Sequence, residues 1–151
     1  MKIVEANKFH TDIIIEMLLR YKHETPVAAF SNYGNVEFVK KVLTHIFAGR
    51  GVALLAFKDE VPAGLLIGFI DQSIWDPELC ILKELAYWVN VEFRGTSAAY
   101  RLLSKYNENA KSLLDSGRIQ QWTISKMVNS PDLDYTKFGF SKVEETFSQG
   151  N

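Results

Sequence analysis

Between residues 51 and 70 the chain carries two apolar runs, 51–57 and 61–70, separated only by Lys58, Asp59 and Glu60. Runs joined by so short a polar connection fold back on each other as a β-hairpin. The second run contains Pro62, Gly64 and Gly68 and is too short to span a bilayer, so it reads as a buried strand. A strand apolar on both faces needs helices against the sheet, and the rest of the chain offers them.

Residues 2–6 read as a short opening strand. From Phe9 onward Ile13, Ile14, Met17, Leu18 and Tyr21 recur at helical spacing, with Asp12, Glu16 and Arg20 on the other face. Pro26 and the polar stretch from Ser31 to Asn35 interrupt that helix. A second amphipathic helix presents Val36, Val39, Leu43, Ile46 and Phe47, with Gly49 as its stop. After the hairpin, residues 82–89 form a strand in which Leu85, Tyr87 and Val89 alternate with Glu84, Ala86 and Trp88. The longest helix runs from about Thr96 to about Ser116 and ends at Gly117. Residues 119–125 read as a further strand. Ser130-Pro131-Asp132 combines a capping hydroxyl, a first-turn proline and an acidic residue, and predicts a short helix ending at Gly139. Residues 142–147 read as a last strand. The order is β-α-α-β-β-β-α-β-α-β: a mixed α/β (α+β) fold of one domain over residues 1–151, with no internal repeat and no linker.

Bulk properties set limits on partners. Net charge is −1, with no basic footprint for nucleic acid and no general attraction to anionic membranes. Cys80 is the sole cysteine, so no intrachain disulfide forms, and a reducing, cytoplasmic setting is expected. No signal-peptide-like stretch opens the chain. His10, His23 and His45 show no metal-ligand spacing, and no histidine lies near Cys80 in sequence to activate it as a nucleophile.

The stretch from Glu84 to Leu103 passes from strand to small-residue loop to helix. At the helix start, backbone N–H groups without intrahelical partners converge and the dipole adds positive potential. In Arg94-Gly95-Thr96-Ser97-Ala98-Ala99 the small side chains let a phosphate approach those groups, and Arg94 can add a charge-assisted bond. From the residues alone, the loop is either such an anion site or an ordinary tight turn into a core helix. It is neither a Walker loop nor a dinucleotide fingerprint, because the Gly-Lys-Ser/Thr and the glycine triplet are missing.

This stretch resembles the cofactor loop of the GNAT superfamily of N-acetyltransferases, Arg/Gln-x-x-Gly-x-Gly/Ala followed by a Leu-Leu pair. Arg94, Ser97 and Ala99 fill the three positions, and Leu102-Leu103 supply the pair. Tyr135-Thr136-Lys137-Phe138-Gly139-Phe140 is similar to the family's second marker, Tyr-x-x-x-Gly-Phe. The order of elements agrees from end to end. Ser97 departs from the pattern, standing where glycine is usual, and a negative φ there would tolerate it.

The resemblance implies a single-domain GNAT-like fold around a mixed, mostly antiparallel sheet, and an acetyl-CoA-dependent N-acetyltransferase. Gly95, Thr96, Ser97, Ala98 and Ala99 with Arg94 are then expected at the donor's diphosphate. Val89 and Val91 are expected to pair with its pantetheine arm, and Asn129 to reach the pantetheine or the thioester. Transfer to an amine needs a base and a proton donor. Glu84 is the candidate base, with a structural ion pair as the competing reading. Tyr135 is the candidate acid, with a packed tyrosine as its alternative. The acceptor would be an amine of a small molecule or protein, lined by the Pro26, Phe30 and Tyr33 segment and by Trp75 or Trp88. No metal is expected, and a homodimer is left open. A cofactor-binding regulatory or interaction protein without useful turnover is the alternative.

Overall fold

The computed structural model describes residues 1–130 and 133–150. Five strands, β1 (Lys2–Glu5), β2 (Gly51–Lys58), β3 (Val61–Gln72), β4 (Cys80–Val89) and β5 (Gln121–Thr123), lie in sequence order across one sheet. The first four pair antiparallel, while β5 runs parallel to β4. The helices are α1 (Thr11–Glu24), α2 (Ala28–Asn32), α3 (Val36–His45) and α4 (Ala98–Asp115). None of the described helices is long and apolar enough to cross a membrane.

The apolar hairpin is central because it is covered on both sides. Successive side chains of a strand point to opposite faces. Leu54, Ala56, Leu66 and Leu82 meet Leu102, Leu103, Tyr106 and Ala110 of α4. Their neighbours Ala53, Leu55, Leu65 and Ile67 meet Ile14, Met17, Leu43 and Ile46 from the α1–α3 side. At about 25 cal/mol per Å² of apolar surface, this double burial is the main stabilising contribution. The hairpin turn narrows to Asp59-Glu60, both at positive φ, as a tight two-residue turn requires.

Several boundaries differ from the sequence reading. Residues 8–10 form a 3-10 turn before α1, and α3 runs on into a π turn, Ile46–Arg50, in which Gly49 takes φ +105. A short helix, α2, occupies the segment expected to be irregular. The helix expected from Ser130 is a single 3-10 turn, Tyr135–Phe138. Its cap is Asp134, whose side chain accepts from the Thr136 N–H at 3.0 Å. Of the expected cap, Pro131 and Asp132 lie outside the described residues, and Leu133 and Asp134 are not helical. The strand expected at 142–147 is absent too. Those residues are all exposed, Val143 at 73% and Phe147 at 86%, so this alternation has no buried face to pay for ordering.

The register of β4 on β3 carries the detail that matters most for the site. Ala86 pairs with Ile67, but the next pair is Glu84 with Gly68, leaving Leu85 as an extra residue. Such a bulge reverses the facing of everything beyond it. Glu84 therefore shares the α4 face with Leu82, Tyr87 and Val89, while Ala86 and Trp88 turn to the α1 face.

Candidate active site

β4 and β5 pair only through Ile81–Gln121, Leu82–Trp122 and Lys83–Thr123. Past that point β4 continues for six residues with β3 as its partner among the described strands, so its other edge faces a cleft. Glu84 is the first residue of that edge. The splay is anchored from α4: the buried Tyr106 hydroxyl donates to the Thr123 carbonyl at 2.9 Å. Gly68 makes this fit, because a Cβ there would stand 3.0 to 3.2 Å from the Tyr106 ring and hydroxyl.

Ser125 connects the two residues singled out for proton transfer. Its backbone amide faces the Glu84 carboxylate closely enough to favour the charged form, and its carbonyl accepts from the Tyr135 hydroxyl at 3.3 Å. Burial pushes the Glu84 carboxyl up to about 7, and the Ser125 N–H pulls it back only in part. Burial likewise raises the Tyr135 hydroxyl above the ordinary tyrosine range, with the Glu84 charge adding to it. Tyr87 is raised by burial first, then by Tyr135 and Glu84. Tyr106 and Tyr21 are raised by burial and by the same carboxylate. One carboxyl raised toward neutrality thus sits among hydroxyls that stay protonated at neutral pH.

The turn that presents Tyr135 is held from α4 and β5. Asn107 accepts from the Trp122 indole at 2.9 Å and donates to the Phe138 carbonyl at 3.1 Å. Gly139, at φ +89, closes the turn, and the Phe140 N–H returns to the Tyr135 carbonyl at 3.2 Å.

The loop after β4 has its own scaffold. Val91 lies in a 3-10 turn, Val91–Phe93, and not on the strand, which ends at Val89. Gly95 takes φ +86, a left-handed conformation suited to glycine. The Thr96 hydroxyl donates to the Phe93 carbonyl at 2.6 Å and accepts from the Ala98 N–H at 3.3 Å. Ser97 has φ −77, so its Cβ meets no backbone penalty. By helix geometry, the N–H groups of Ala99 and Tyr100 have no carbonyl one turn back within α4. Tyr87 ties this first turn to the sheet through a short bond from its hydroxyl to the Ala99 carbonyl.

Arg94 is held by three groups of the chain. Its Nε donates to the Val89 carbonyl at 3.1 Å, its Nη2 meets the Glu24 carboxylate at 2.9 Å, and its guanidinium lies 4.7 Å over the Trp88 ring. Asn129 donates to the Glu24 carbonyl at 2.6 Å. Of the aromatic wall candidates, Trp88 is buried against Tyr21, while Trp75 is 85% exposed on the β3–β4 connection. Phe30 and Tyr33 are exposed on and beside α2. Cys80 opens β4 at the opposite end from Val89.

Sequence reasoning passed over Asn90, the one buried polar residue among those described. Its side chain accepts from the Trp88 indole at 2.9 Å and donates to the Pro62 carbonyl at 2.9 Å, and its N–H reaches the Ala63 carbonyl. A polar residue closing an apolar strand was the available signal. Asn90→Ala leaves two buried polar groups without these partners and is expected to cost roughly 2–4 kcal/mol. Urea denaturation checks this, and a loss below about 1 kcal/mol would contradict the anchoring role.

No protein-family model and no curated protein matches the chain. Solved structures do match it across almost its whole length. A predicted acetyltransferase of Clostridium acetobutylicum, solved with acetyl-CoA, superposes with a TM-score of 0.73 at 12% identity, covering 99% of this chain and 95% of that one. A transcriptional regulator of Bacillus halodurans gives 0.70 at 15% identity, with 99% and 98% covered. An aminoglycoside acetyltransferase from an uncultured soil metagenomic sample, in complex with sisomicin, gives 0.66 at 12% identity, with 99% and 96% covered. The chain has the acetyltransferase fold of the GNAT type.

Proposed function

We propose that this chain with an acetyltransferase fold is an acetyl-CoA-dependent N-acetyltransferase, acting on a primary amine of a small molecule or protein by direct attack on the thioester. The meeting of Glu84 and Tyr135 at Ser125, beside the open edge of β4, carries this reading. The residues present fit the donor. A strand edge that no described strand pairs with beyond Lys83 suits a pantetheine arm, and a first helical turn behind Gly95 and Ser97 suits a diphosphate. Arg94, Gly95, Thr96, Ser97, Ala98 and Ala99 would hold the diphosphate, and Val89, Val91 and Asn129 the arm.

Acetyl-CoA supplies the acetyl group as an activated thioester. Glu84 takes the proton from the attacking nitrogen, directly or through a water. With its carboxyl near 7, it is a stronger base than an ordinary carboxylate and still substantially ionised at neutral pH. Tyr135 keeps its proton at Oη across the physiological range and is the donor available to a departing thiolate.

Isothermal titration with acetyl-CoA is expected to show saturable binding, and silence at high micromolar concentration would remove the reading. Mass spectrometry of an amine and peptide panel incubated with acetyl-CoA then identifies the acceptor. The second reading, a regulatory protein that binds an acyl-CoA without useful turnover, is favoured by the regulator among the similar structures. It predicts binding without any acetylated product.

A further inference from the structure

We infer that Glu24 is an internal anion that occupies Arg94 beside the donor cleft and yields it only when a ligand's own anionic group takes its place. Glu24 is the last residue of α1. A carboxylate there faces the negative end of the helix dipole, and its carbonyl belongs to the set that finds no donor within the helix. Both needs are met from outside α1. Arg94 pairs with the carboxylate at 2.9 Å, and Asn129 donates to the carbonyl at 2.6 Å.

Arg94 and Asn129 stand on the loops that follow β4 and β5, the two strands whose splay opens the cleft. One residue therefore ties both walls together. The same arrangement lays the Arg94 Nε on the Val89 carbonyl. The guanidinium, the Val89 carbonyl and the Asn129 amide are thus engaged within the chain, and they are groups that the proposed donor would use. The identity of the ligand rests on the reading above, whereas the ties do not.

The pair is exchangeable. Its side chains are 34% and 44% exposed, so the bond is weak by the measure of ion pairs, and a diphosphate offers guanidinium more charge and more acceptor atoms than one carboxylate. Glu24 then sets specificity. Ligands bearing a diphosphate displace it, and those without one must bind with the Glu24–Arg94 pair still in place.

The test compares wild type with Glu24→Ala, and with Glu24→Gln as the isosteric second variant. The position is exposed at a helix end, so neither change disturbs the core. Coenzyme A and inorganic pyrophosphate are titrated calorimetrically, and amide exchange is followed in the free proteins. Removing the competing carboxylate is expected to tighten both ligands about three- to fivefold and to speed exchange across residues 91–97. Unchanged or weaker binding, with wild type binding normally, overturns the inference and makes Glu24 a support that orients Arg94. If neither protein binds coenzyme A, the acyl-donor reading falls. Pyrophosphate then decides the inference, which stands on tighter binding to the variants and falls on equal or absent binding.

Discussion

Glu84→Gln is expected to lower turnover by about two to four orders of magnitude, the usual contribution of a positioned general base, while making the fold more stable at alkaline pH. Burial raises the folded-state carboxyl to about 7, whereas the unfolded chain titrates near the ordinary glutamate value of 4.5. Below about pH 4 both states hold the proton and Glu84 costs nothing. Between the two values the unfolded chain releases its proton first, so stability falls as pH rises through 7. Above pH 7 the full cost of roughly 3 kcal/mol is present. Glutamine imitates the neutral form and retains an oxygen for the Ser125 N–H. Urea melts should therefore separate variant from wild type by up to about 3 kcal/mol at pH 8.5 and hardly at pH 4. Equal stability at both would show that the carboxyl is not held in a desolvated site. Wild-type turnover should climb along a limb centred near pH 7 as Glu84 ionises, and that limb should vanish in the variant.

Tyr135→Phe is expected to cut kcat by about a hundredfold, the lower end of general-acid contributions, with the KM for acetyl-CoA within about twofold of wild type. The ring stays packed near Phe140, at 6.1 Å between centroids, and under Lys126. Only the hydroxyl and its bond to the Ser125 carbonyl are lost, at a stability cost of about 1 kcal/mol. A purely structural tyrosine would give the opposite pattern, with stability reduced and kcat intact. An unchanged rate in the variant would therefore withdraw the acid assignment while leaving Glu84 untouched.

Much of the architecture is legible in the amino-acid sequence. Apolar runs on either side of a three-residue connection required a hairpin covered on both faces, and helical spacing of Ile14, Met17, Leu43, Leu102 and Tyr106 supplied the cover. The stretch from Arg94 to Ala99 falls where its small residues placed it, after β4 and into the first turn of α4. The C-terminal region was less legible. Ser130-Pro131-Asp132 imitates a helix start, yet the capping is done by Asp134, because short caps compete with one another and local bonds decide among them. Alternation over 142–147 suggested a strand, but a strand exists only where a partner edge and a buried face are available.

The site shows the same division at finer grain. Sequence marked Glu84, Arg94, Asn129 and Tyr135 by type and by resemblance. It gave no sign that Glu24 would join Arg94 to Asn129 across 70 and 105 residues of chain, since such ties depend on how α1 ends against two distant loops.

What the sequence determined by itself was the hairpin, the helices that cover it and the place of the small-residue loop, because these follow from periodicity over many residues. Tertiary structure alone decided which way Glu84 points. Strict alternation puts it with Ala86 and Trp88 on the α1 side, and the single extra residue at Leu85 turns it to the α4 side with Tyr87, beside Ser125 and Tyr135. A bulge is a property of the pairing between two strands, so one strand's pattern cannot reveal it.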